Sequence, residues 1–373
     1  MSEQQKILLF TGAGFCHPLG LPTTKGFSLT LDKFQSNYLI TILRGYLGEH
    51  YNDIEHVLSE LEILTKKRTL LKYALFTYYG KDNNFAYSRD VLNNIIDEAN
   101  RLIFLLKKTI YVNLKKINNK SCAELYSNSI KEIKKIFPDS PISIFTTNYD
   151  LTFETAINES DWEKSLGIKD VDFGFTSKYG RATFNPNKEY IWNTEIIEYK
   201  KIHGSLDWIK DNNDRCVKTF EYSIPDDPTD MPVLYPGFKD TPTDPLFKAL
   251  HDQLFVRLMD ATICISVGFA FRDPYINNLF DTALKLNNKL KIICFNPADV
   301  SEHPEESHIK NFIRDYPNNF FYVRKGIELS DSPLEIIKSP DFLYEEQDPN
   351  KLLNLLVETN ITNGVRIMMK KKA

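Results

Sequence analysis

The fold of this chain is decided by residues 6–22, which read KILLFTGAGFCHPLGLP. Residues 6–12 form a short apolar run that ends in glycine, which is typical of a buried strand in a parallel sheet. Gly12, Gly14 and Gly20 then punctuate a turn of small residues, although the spacing is not the usual G-x-G-x-x-G. Glycines at such a turn let backbone N–H groups approach a phosphate closely. The turn predicts either a nucleotide-binding loop or a tight strand-to-helix turn that binds nothing.

The rest of the chain alternates between helical and strand-like texture. Apolar residues recur at helical spacing over residues 40–137, and an amphipathic segment covers residues 274–286. Runs rich in β-branched and aromatic residues follow the first helical stretch, at 142–147, 190–192, 200–203, 261–268, 289–297 and 318–326. This alternation predicts an α/β fold with a Rossmann-like, doubly wound parallel sheet and an inserted helical module.

This organisation also predicts where the domains divide. Residues 1–39 and 138–330 would form one α/β domain, interrupted by a helical insertion over 40–137. Residues 331–373 would be a C-terminal extension, and the proline-rich stretch 211–245 a long surface connection. The apolar stripes of the insertion leave two alternatives open. They would either form an assembly surface, which favours a homo-oligomer, or bury against each other.

Composition excludes several classes of protein. The chain has 373 residues, 42% of them hydrophobic and 26% charged, which is typical of a globular protein. Its formal net charge of -4 gives no general attraction to nucleic acid or acidic lipid, so we expect nucleic acid contacts only through a partner. No apolar stretch approaches the ~20 residues of a membrane span, and the polar N-terminus is not a secretory signal. We therefore expect no membrane association.

The cysteines indicate the compartment. None of the five belongs to a C-x-x-C pair, so they predict neither a structural zinc site nor a disulfide framework. A reducing cytoplasmic location and the absence of a metal are the expectations.

Polar residues follow two of the strand-like runs. IFTTNYD places Asn148 and Asp150 at a strand end, where ligands bind in open α/β folds. Asn offers a donor and an acceptor for ribose hydroxyls, whereas Asp offers acceptors only. The alternative is that the pair caps the helix that begins near Leu151. In KKIHGSLDW, His203 also follows a strand, where it would act as a general base or have a purely structural role.

Two later strand ends carry further candidates. ISVG ends at Gly268, which allows close approach of the backbone, and Asp273 with Pro274 predicts a helix start. Arg272 would meet either a phosphate or a carboxylate. Asn296 ends the next strand, where it would line a ligand or simply form a turn before the following proline.

Together these motifs resemble the sirtuin family. The glycine loop is similar to the family's G-A-G-x-S loop and Ile-Pro, with Cys16 where serine is usual. TTNYD resembles the family's T-Q-N-x-D, and His203 with Gly204 matches its catalytic His-Gly. The resemblance implies that NAD is the substrate and that Asn148 holds the ribose and a water. It implies that His203 takes a proton either from a ribose hydroxyl or from that water. It also implies a set of NAD-binding residues: Gly12, Ala13, Gly14, Pro22, Thr147, Asp150, Gly268, Phe269 and Asn296.

Differences from the family's motifs narrow the expected type of sirtuin activity. Deacylating sirtuins carry a four-cysteine zinc module between the His-Gly strand and the Gly-Thr-Ser strand, where this chain has only Cys216. Residues 23–25 read TTK in place of Asp-Phe-Arg, and Gly-Thr-Ser has become Gly268 followed by Phe-Ala. The segments GFAFRDP and HGSLDW resemble bacterial sirtuin-like proteins of anti-phage defence, in particular the subunit that accompanies a HerA-type ATPase.

The resemblance therefore implies an NAD⁺ glycohydrolase that forms nicotinamide and ADP-ribose. Such an enzyme would serve antiviral defence by NAD⁺ depletion, an abortive infection, together with a HerA-type ATPase. An alternative is a non-catalytic subunit that senses NAD or ADP-ribose and regulates a partner ATPase or nuclease. Protein deacylation is a third alternative, against which the missing zinc cysteines count.

Overall fold

The structure of the chain is a computed structural model. It describes residues 4–23, 26–27, 29–48, 51, 54–66, 85–114, 118–178, 181–188, 191–213, 215–219, 242, 244–296 and 307–323. The strands are β1 (Ile7–Thr11), β2 (Ile142–Thr146), β3 (Asp170–Asp172), β4 (Phe175–Lys178), β5 (Arg181–Phe184), β6 (Ile196–Lys201), β7 (Trp208–Lys210), β8 (Cys216–Lys218), β9 (Ile263–Val267), β10 (Lys291–Phe295) and β11 (Phe320–Val323).

The helices include two 3₁₀ helices, Ala13–Leu19 and Leu29–Phe34. The α-helices include α1 (Tyr38–Leu47), α2 (Ile54–Lys66), α3 (Phe85–Leu114), α4 (Asn119–Ile136), α5 (Thr152–Glu159), α6 (Trp162–Leu166), α7 (Pro245–Asp260), α8 (Pro274–Leu286) and α9 (Ser307–Asp315).

Seven strands form a sheet in the order β11-β10-β9-β1-β2-β6-β3, and every neighbouring pair is parallel. The chain leaves β1 toward β2 on one side and later returns to β9 on the other. The order of the strands therefore reverses between β1 and β9. In open α/β sheets, ligands bind outside the carboxyl ends of the strands at such a switch point.

Helices cover both faces of this sheet. Ile7 and Leu9 of β1 belong to one apolar core, which they share with residues of α1 to α6. Leu8 and Phe10 face the opposite core, which contains residues of α7, α8 and α9. Because side chains alternate along a strand, a run such as ILLF that is apolar at every position supplies both cores. The predicted doubly wound parallel sheet is confirmed.

Between β1 and β2 the described residues form helices and their connections, with no strand among them. The predicted apolar stripes of α2 and α3 are buried, at positions such as Leu58, Leu61, Leu102 and Leu106. They pack in the same core as β1 and β2, as the second of the two alternatives expects. The domain boundaries and the homo-oligomer stay predictions, and residues 331–373 lie outside the described residues.

The structure corrects the sequence analysis in the region before β9. The expected strand at 190–192 is absent from its described residues, 191 and 192. The strand expected at 200–203 instead runs from Ile196 to Lys201. Residues 211–245 were expected to be a surface connection only, yet they contain β8 and the start of α7.

A second sheet lies in the same region of the chain. It contains four antiparallel strands in the order β4-β5-β8-β7, which the sequence analysis did not predict. Strands of three or four residues are too short to show a clear alternation of apolar and polar positions.

Among the described helices, none is long and apolar enough to cross a membrane.

Candidate active site

The parallel register places the predicted ligand-binding residues along one edge of the sheet. The last paired row consists of Lys201, Thr146, Thr11, Val267, Phe295 and Val323. The residues that directly follow four of these positions are the candidates Thr147, Gly12, Gly268 and Asn296. Asn148 and His203 each lie two residues beyond the pair Thr146–Lys201, so they occupy corresponding positions after neighbouring strands.

The turns after β1 and β9 meet backbone to backbone, and we call this contact of Gly12, Gly14 and Gly268 the β1–β9 junction. The Gly12 amide donates to the Val267 carbonyl, and the Gly14 amide donates to the Gly268 carbonyl, both at 3.0 Å. A Cβ atom at Gly12 would lie 2.6 Å from the carbonyl oxygen of Gly268. Gly268 itself has a φ of 64°, in the left-handed region.

The β1–β9 junction bears on the two alternatives for the glycine turn. All three glycines are required by the close backbone packing, whether or not a ligand binds. The amides of Gly12 and Gly14 already serve carbonyl groups of the protein. A phosphate at this turn would therefore use other groups. Ala13 begins the 3₁₀ helix that follows, and Pro22 lies beyond its end; both are half-buried.

Asn148 holds the glycine turn in place. Its side chain is buried, and its Nδ2 donates to the Gly12 carbonyl at 3.1 Å and to the Cys16 sulfur at 3.4 Å. Its backbone amide donates to the hydroxyl of Thr146 at 3.0 Å. The side-chain amide thus ties the end of β2 to the turn after β1, and it does not cap α5.

Asp150 does contribute to the start of α5. Its Oδ1 accepts the Thr152 amide at 3.0 Å and the Thr152 hydroxyl at 2.5 Å. Its backbone carbonyl accepts Nζ of the buried Lys201. Lys201 also forms an ion pair with Glu154 at 3.1 Å, so this buried side chain links the segment between β2 and α5 to α5 itself. Asp150 therefore holds the first residue of α5, although the N-cap itself is Leu151 and no side chain forms a cap hydrogen bond there.

His203 is only 3% exposed and faces a carboxylate. Its Nε2 lies 3.4 Å from Oδ2 of Asp273, an ion-pair distance at which the hydrogen bond is not aligned. The other carboxylate oxygen of Asp273 accepts the amides of Tyr275 at 2.8 Å and Ile276 at 3.0 Å. Asp273 is therefore the N-cap of α8, with Pro274 at the first helical position, as the sequence predicts.

A second histidine lies behind the first. The ring of His251, on α7, has its centre 6.0 Å from that of His203 and is completely buried. Because a carbonyl only accepts, the 2.7 Å contact with the Phe247 carbonyl places the proton of His251 on Nδ1. Its Nε2 is buried without a hydrogen-bond partner among the described residues. We call His203, Asp273 and His251 the histidine cluster.

Burial sets the charge states in the histidine cluster. Burial, and then the charge of His203, lowers the pKa of His251 to about 4, so this ring is neutral at pH 7. Burial on its own would raise the pKa of Asp273. The nearby His203, whose Nε2 faces Oδ2 of Asp273, outweighs that effect and brings the pKa of Asp273 below its ordinary value, so Asp273 is ionised.

The remaining candidates have different surroundings. The Phe269 ring packs edge-on against Phe10 and tilts against Phe271, with 4.9 Å between centres in both cases, so it belongs to the core. The buried Asn296 donates its backbone amide to the Val323 carbonyl at 3.1 Å. Arg272 is exposed. No three His, Cys, Asp or Glu side chains of the described residues are grouped to hold a metal ion.

Residues 142–316 match the family model of the SIR2-like domain. The match supports a sirtuin-like family. It contains Asn148 and the whole histidine cluster, whereas the glycine turn precedes it. Among curated proteins, none matches the sequence at a significant level.

Two solved structures of Sir2 homologues are similar at 12% identity. One, a triple mutant in complex with 2'-O-acetyl ADP ribose, aligns with a TM-score of 0.39 over 84% of this chain and 93% of its own. The other, a single-site mutant in complex with ADP ribose, aligns with a TM-score of 0.35 over 83% and 91%.

Sequence reasoning about the SIR2-like segment missed His251. His251 was not among the candidate residues, because no strand-like run ends before it, yet α7 brings its ring next to His203. The sequence HDQLF gives no sign of this contact, since only packing of α7 against the sheet creates it. Asp273 was expected to cap a helix, but a cap uses one carboxylate oxygen and leaves the other free for a second role.

Proposed function

We propose that this protein is an NAD⁺ glycohydrolase, which cleaves NAD⁺ to nicotinamide and ADP-ribose. The observation that carries the proposal is the buried imidazole of His203. It lies two residues beyond a strand end, at the ligand-binding edge of a parallel sheet, and faces an ionised carboxylate. A buried polar group without an aligned hydrogen bond costs about 1–3 kcal/mol, so stability does not explain it.

The reaction needs a base beside the ribose. The bond between C1′ of the ribose and the nicotinamide nitrogen breaks, and its electron pair leaves with nicotinamide. Water then bonds to C1′, and His203 takes the proton that the water loses. A positioned imidazole contributes about 10²–10⁴-fold to such a step.

Asn148 supports the same assignment from the neighbouring strand. Its Nδ2 is engaged by the Gly12 carbonyl, so the group left to meet a ribose hydroxyl or a water is its side-chain oxygen. The β1–β9 junction lies at the point where the strand order reverses, which suits binding of the dinucleotide along this edge.

The resemblance of GFAFRDP and HGSLDW to defence proteins supports the biological part of the proposal. The enzyme would deplete NAD⁺ in the cytoplasm of an infected cell, in complex with a HerA-type ATPase and as a homo-oligomer. Its basal activity would then be low, because uncontrolled hydrolysis of NAD⁺ is toxic.

The test is an assay of NAD⁺ consumption. Purified full-length protein, alone and with the ATPase encoded beside it, is followed by chromatography for nicotinamide and ADP-ribose. We expect His203→Ala to lower the rate at least about 100-fold. His308→Ala, at an exposed position of α9, is the matched control and should keep the wild-type rate.

Each other outcome has a defined meaning. If NAD⁺ binds tightly but is not consumed under either condition, the glycohydrolase proposal is wrong and the sensor alternative takes its place. If His203→Ala is as active as wild type, the base has been assigned to the wrong residue. Loss of activity in both histidine variants would indicate a general loss of folded protein.

A further inference from the structure

The carboxylate of Asp273 has two oxygen atoms with different tasks. Oδ1 is fixed by two backbone amides at the start of α8, those of Tyr275 and Ile276. Oδ2 is directed at His203, with 3.4 Å to Nε2. Because the helix start holds one oxygen, the other cannot turn away from the imidazole without breaking the cap.

The turn that leads to Asp273 is strained in a way that fixes this placement. Gly268 has a φ of 64° and Phe271 a φ of 53°, and the second value is unfavourable for a residue with a bulky side chain. Asn277 of α8 donates its Nδ2 to the Phe271 carbonyl at 2.7 Å and holds the strained residue. The fold thus accepts a conformational cost to bring α8 and its cap to the edge of the sheet.

We propose that Asp273 is the positioning residue of His203, and that the two form an Asp–His dyad in which Nδ1 of His203 is the base. This inference rests on the proposed glycohydrolase function, which it deepens. An ionised carboxylate only accepts hydrogen bonds, so it selects the form of the neutral imidazole with the proton on Nε2. Nδ1 then has a free electron pair for the proton of the attacking water.

When the proton reaches Nδ1, the imidazole becomes a cation beside the carboxylate. Asp273 stabilises this cation and does not itself take the proton. His251 does not compete, since burial keeps its ring neutral and its own Nδ1 donates to the Phe247 carbonyl. The distance of 3.4 Å would shorten when substrate excludes water from the site.

The other groups around the dyad do not replace Asp273. Tyr149 follows the neighbouring strand β2; its ring lies 6.5 Å from the His203 ring, and its hydroxyl donates to Glu55. The ring of Tyr275 packs against His251 at 5.2 Å. Asp252 acts on the charge of His251 from the same helix, α7.

The decisive variant is Asp273→Asn, because asparagine is as good an N-cap as aspartate. If the side-chain oxygen keeps the amides of α8, the NH₂ group must face His203. That group donates, so the imidazole has to accept on Nε2 and carry its proton on Nδ1, which blocks the base. We expect kcat to fall at least about 100-fold with little change in KM. The unfolding midpoint should stay close to that of wild type.

Two further variants separate a catalytic effect from a structural one. Asp244→Asn changes the N-cap of α7, which also has proline at its first position, and should keep wild-type activity. Asp273→Glu keeps a carboxylate but is a poorer cap, so we expect lower stability than in Asp273→Asn and higher activity. If activity and stability fall in the same order across the series, Asp273 is only a cap and the proposal is wrong.

A spectroscopic measurement tests the dyad without relying on turnover. In full-length protein with ¹⁵N-labelled histidine, ring-nitrogen NMR reports which nitrogen carries the proton, and His203→Gln assigns the signal. We expect Nε2–H in wild type and Nδ1–H in Asp273→Asn. An unchanged proton position would overturn the dyad even if NAD⁺ is hydrolysed. The expected inversion without any NAD⁺ hydrolysis would support the dyad and overturn the proposed function.

Discussion

The β1–β9 junction and the histidine cluster lie at the same edge of the sheet, but they differ in whether their polar groups have aligned hydrogen bonds. In the junction, the amides of Gly12 and Gly14 each meet a carbonyl at 3.0 Å. In the histidine cluster, Nε2 of His203 and Nε2 of His251 are both buried without an aligned hydrogen bond among the described residues. The junction is complete without a ligand, whereas the cluster is not.

This difference shows which of the two regions the fold itself explains. Paired backbone groups and glycines without room for a Cβ atom are what close packing of two turns requires. Buried ring nitrogens without an aligned hydrogen bond cost free energy, and close packing of the sheet does not require them. The glycine turn is therefore weaker evidence for ligand binding than its motif suggests. The histidine cluster is stronger evidence, because packing does not explain it.

The largest expected effect concerns the junction. Gly268→Ala would place a Cβ atom 2.2 Å from the backbone nitrogen of Phe15 while φ stays in the left-handed region. Both the overlap and the strain act on backbone atoms, which cannot move aside separately. We expect the free energy of unfolding to fall by more than about 3 kcal/mol in urea denaturation.

Gly167→Ala is the matched control for that experiment. Gly167 has a φ of 68°, but no atom lies within 4 Å of the position of its Cβ. Only the conformational cost remains, about 1–2 kcal/mol. Equal losses in the two variants would mean that close packing at the junction adds nothing, and that the comparison between the two regions fails.

The histidine cluster is expected to make the free energy of unfolding depend on pH. The pKa of His251 falls from an ordinary 6.5 to about 4 on folding. Between these values the unfolded chain binds a proton that the folded chain does not, so acid favours unfolding. The stabilisation is complete above pH 6.5 and is lost as the pH falls to about 4. It amounts to about 3 kcal/mol.

The measurement compares unfolding free energies at pH 7 and pH 4 in wild type and in His251→Gln. The variant should lose less stability than wild type over this range, by about 3 kcal/mol, because glutamine does not titrate. His308→Gln, on the surface of α9, should keep the wild-type slope. Parallel slopes in all three proteins would show that His251 is not held neutral by the fold.

Much of the fold could be predicted from the sequence because its strands are apolar at nearly every position. β1, β2, β9, β10 and β11 follow from such runs, and Asp273 with Pro274 predicted the start of α8 at the observed residue. The four short strands of the second sheet were not predicted, because three or four residues are too few to show the alternation of apolar and polar residues that marks a strand. The strand β6 was placed too late because its sequence IIEYKK mixes apolar and charged residues.

The candidate site could be predicted only where it lies at strand ends. Asn148 and His203 follow strands, so their positions come directly from the chain. His251 lies in the middle of α7, and its contact with His203 depends on how that helix packs. The second task of Asp273 depends on the direction of one carboxylate oxygen, which a cap motif does not specify.

The smallest expected effect compares two buried cysteines, one beside the junction and one in the core. The Cys16 sulfur lies 3.3 Å from the hydroxyl of Thr152 and accepts Nδ2 of Asn148, so Cys16→Ser leaves the new hydroxyl with partners. Cys264, in the apolar core on β9, has a pKa raised by burial alone, and Cys264→Ser would bury a hydroxyl without a partner. Urea denaturation should show a loss within about 1 kcal/mol for Cys16→Ser and about 1–3 kcal/mol for Cys264→Ser. If Cys16→Ser loses as much stability as Cys264→Ser, the polar side chains around the glycine turn do not supply hydrogen-bond partners for the new hydroxyl. The contrast between the junction and the histidine cluster would then hold only for backbone groups.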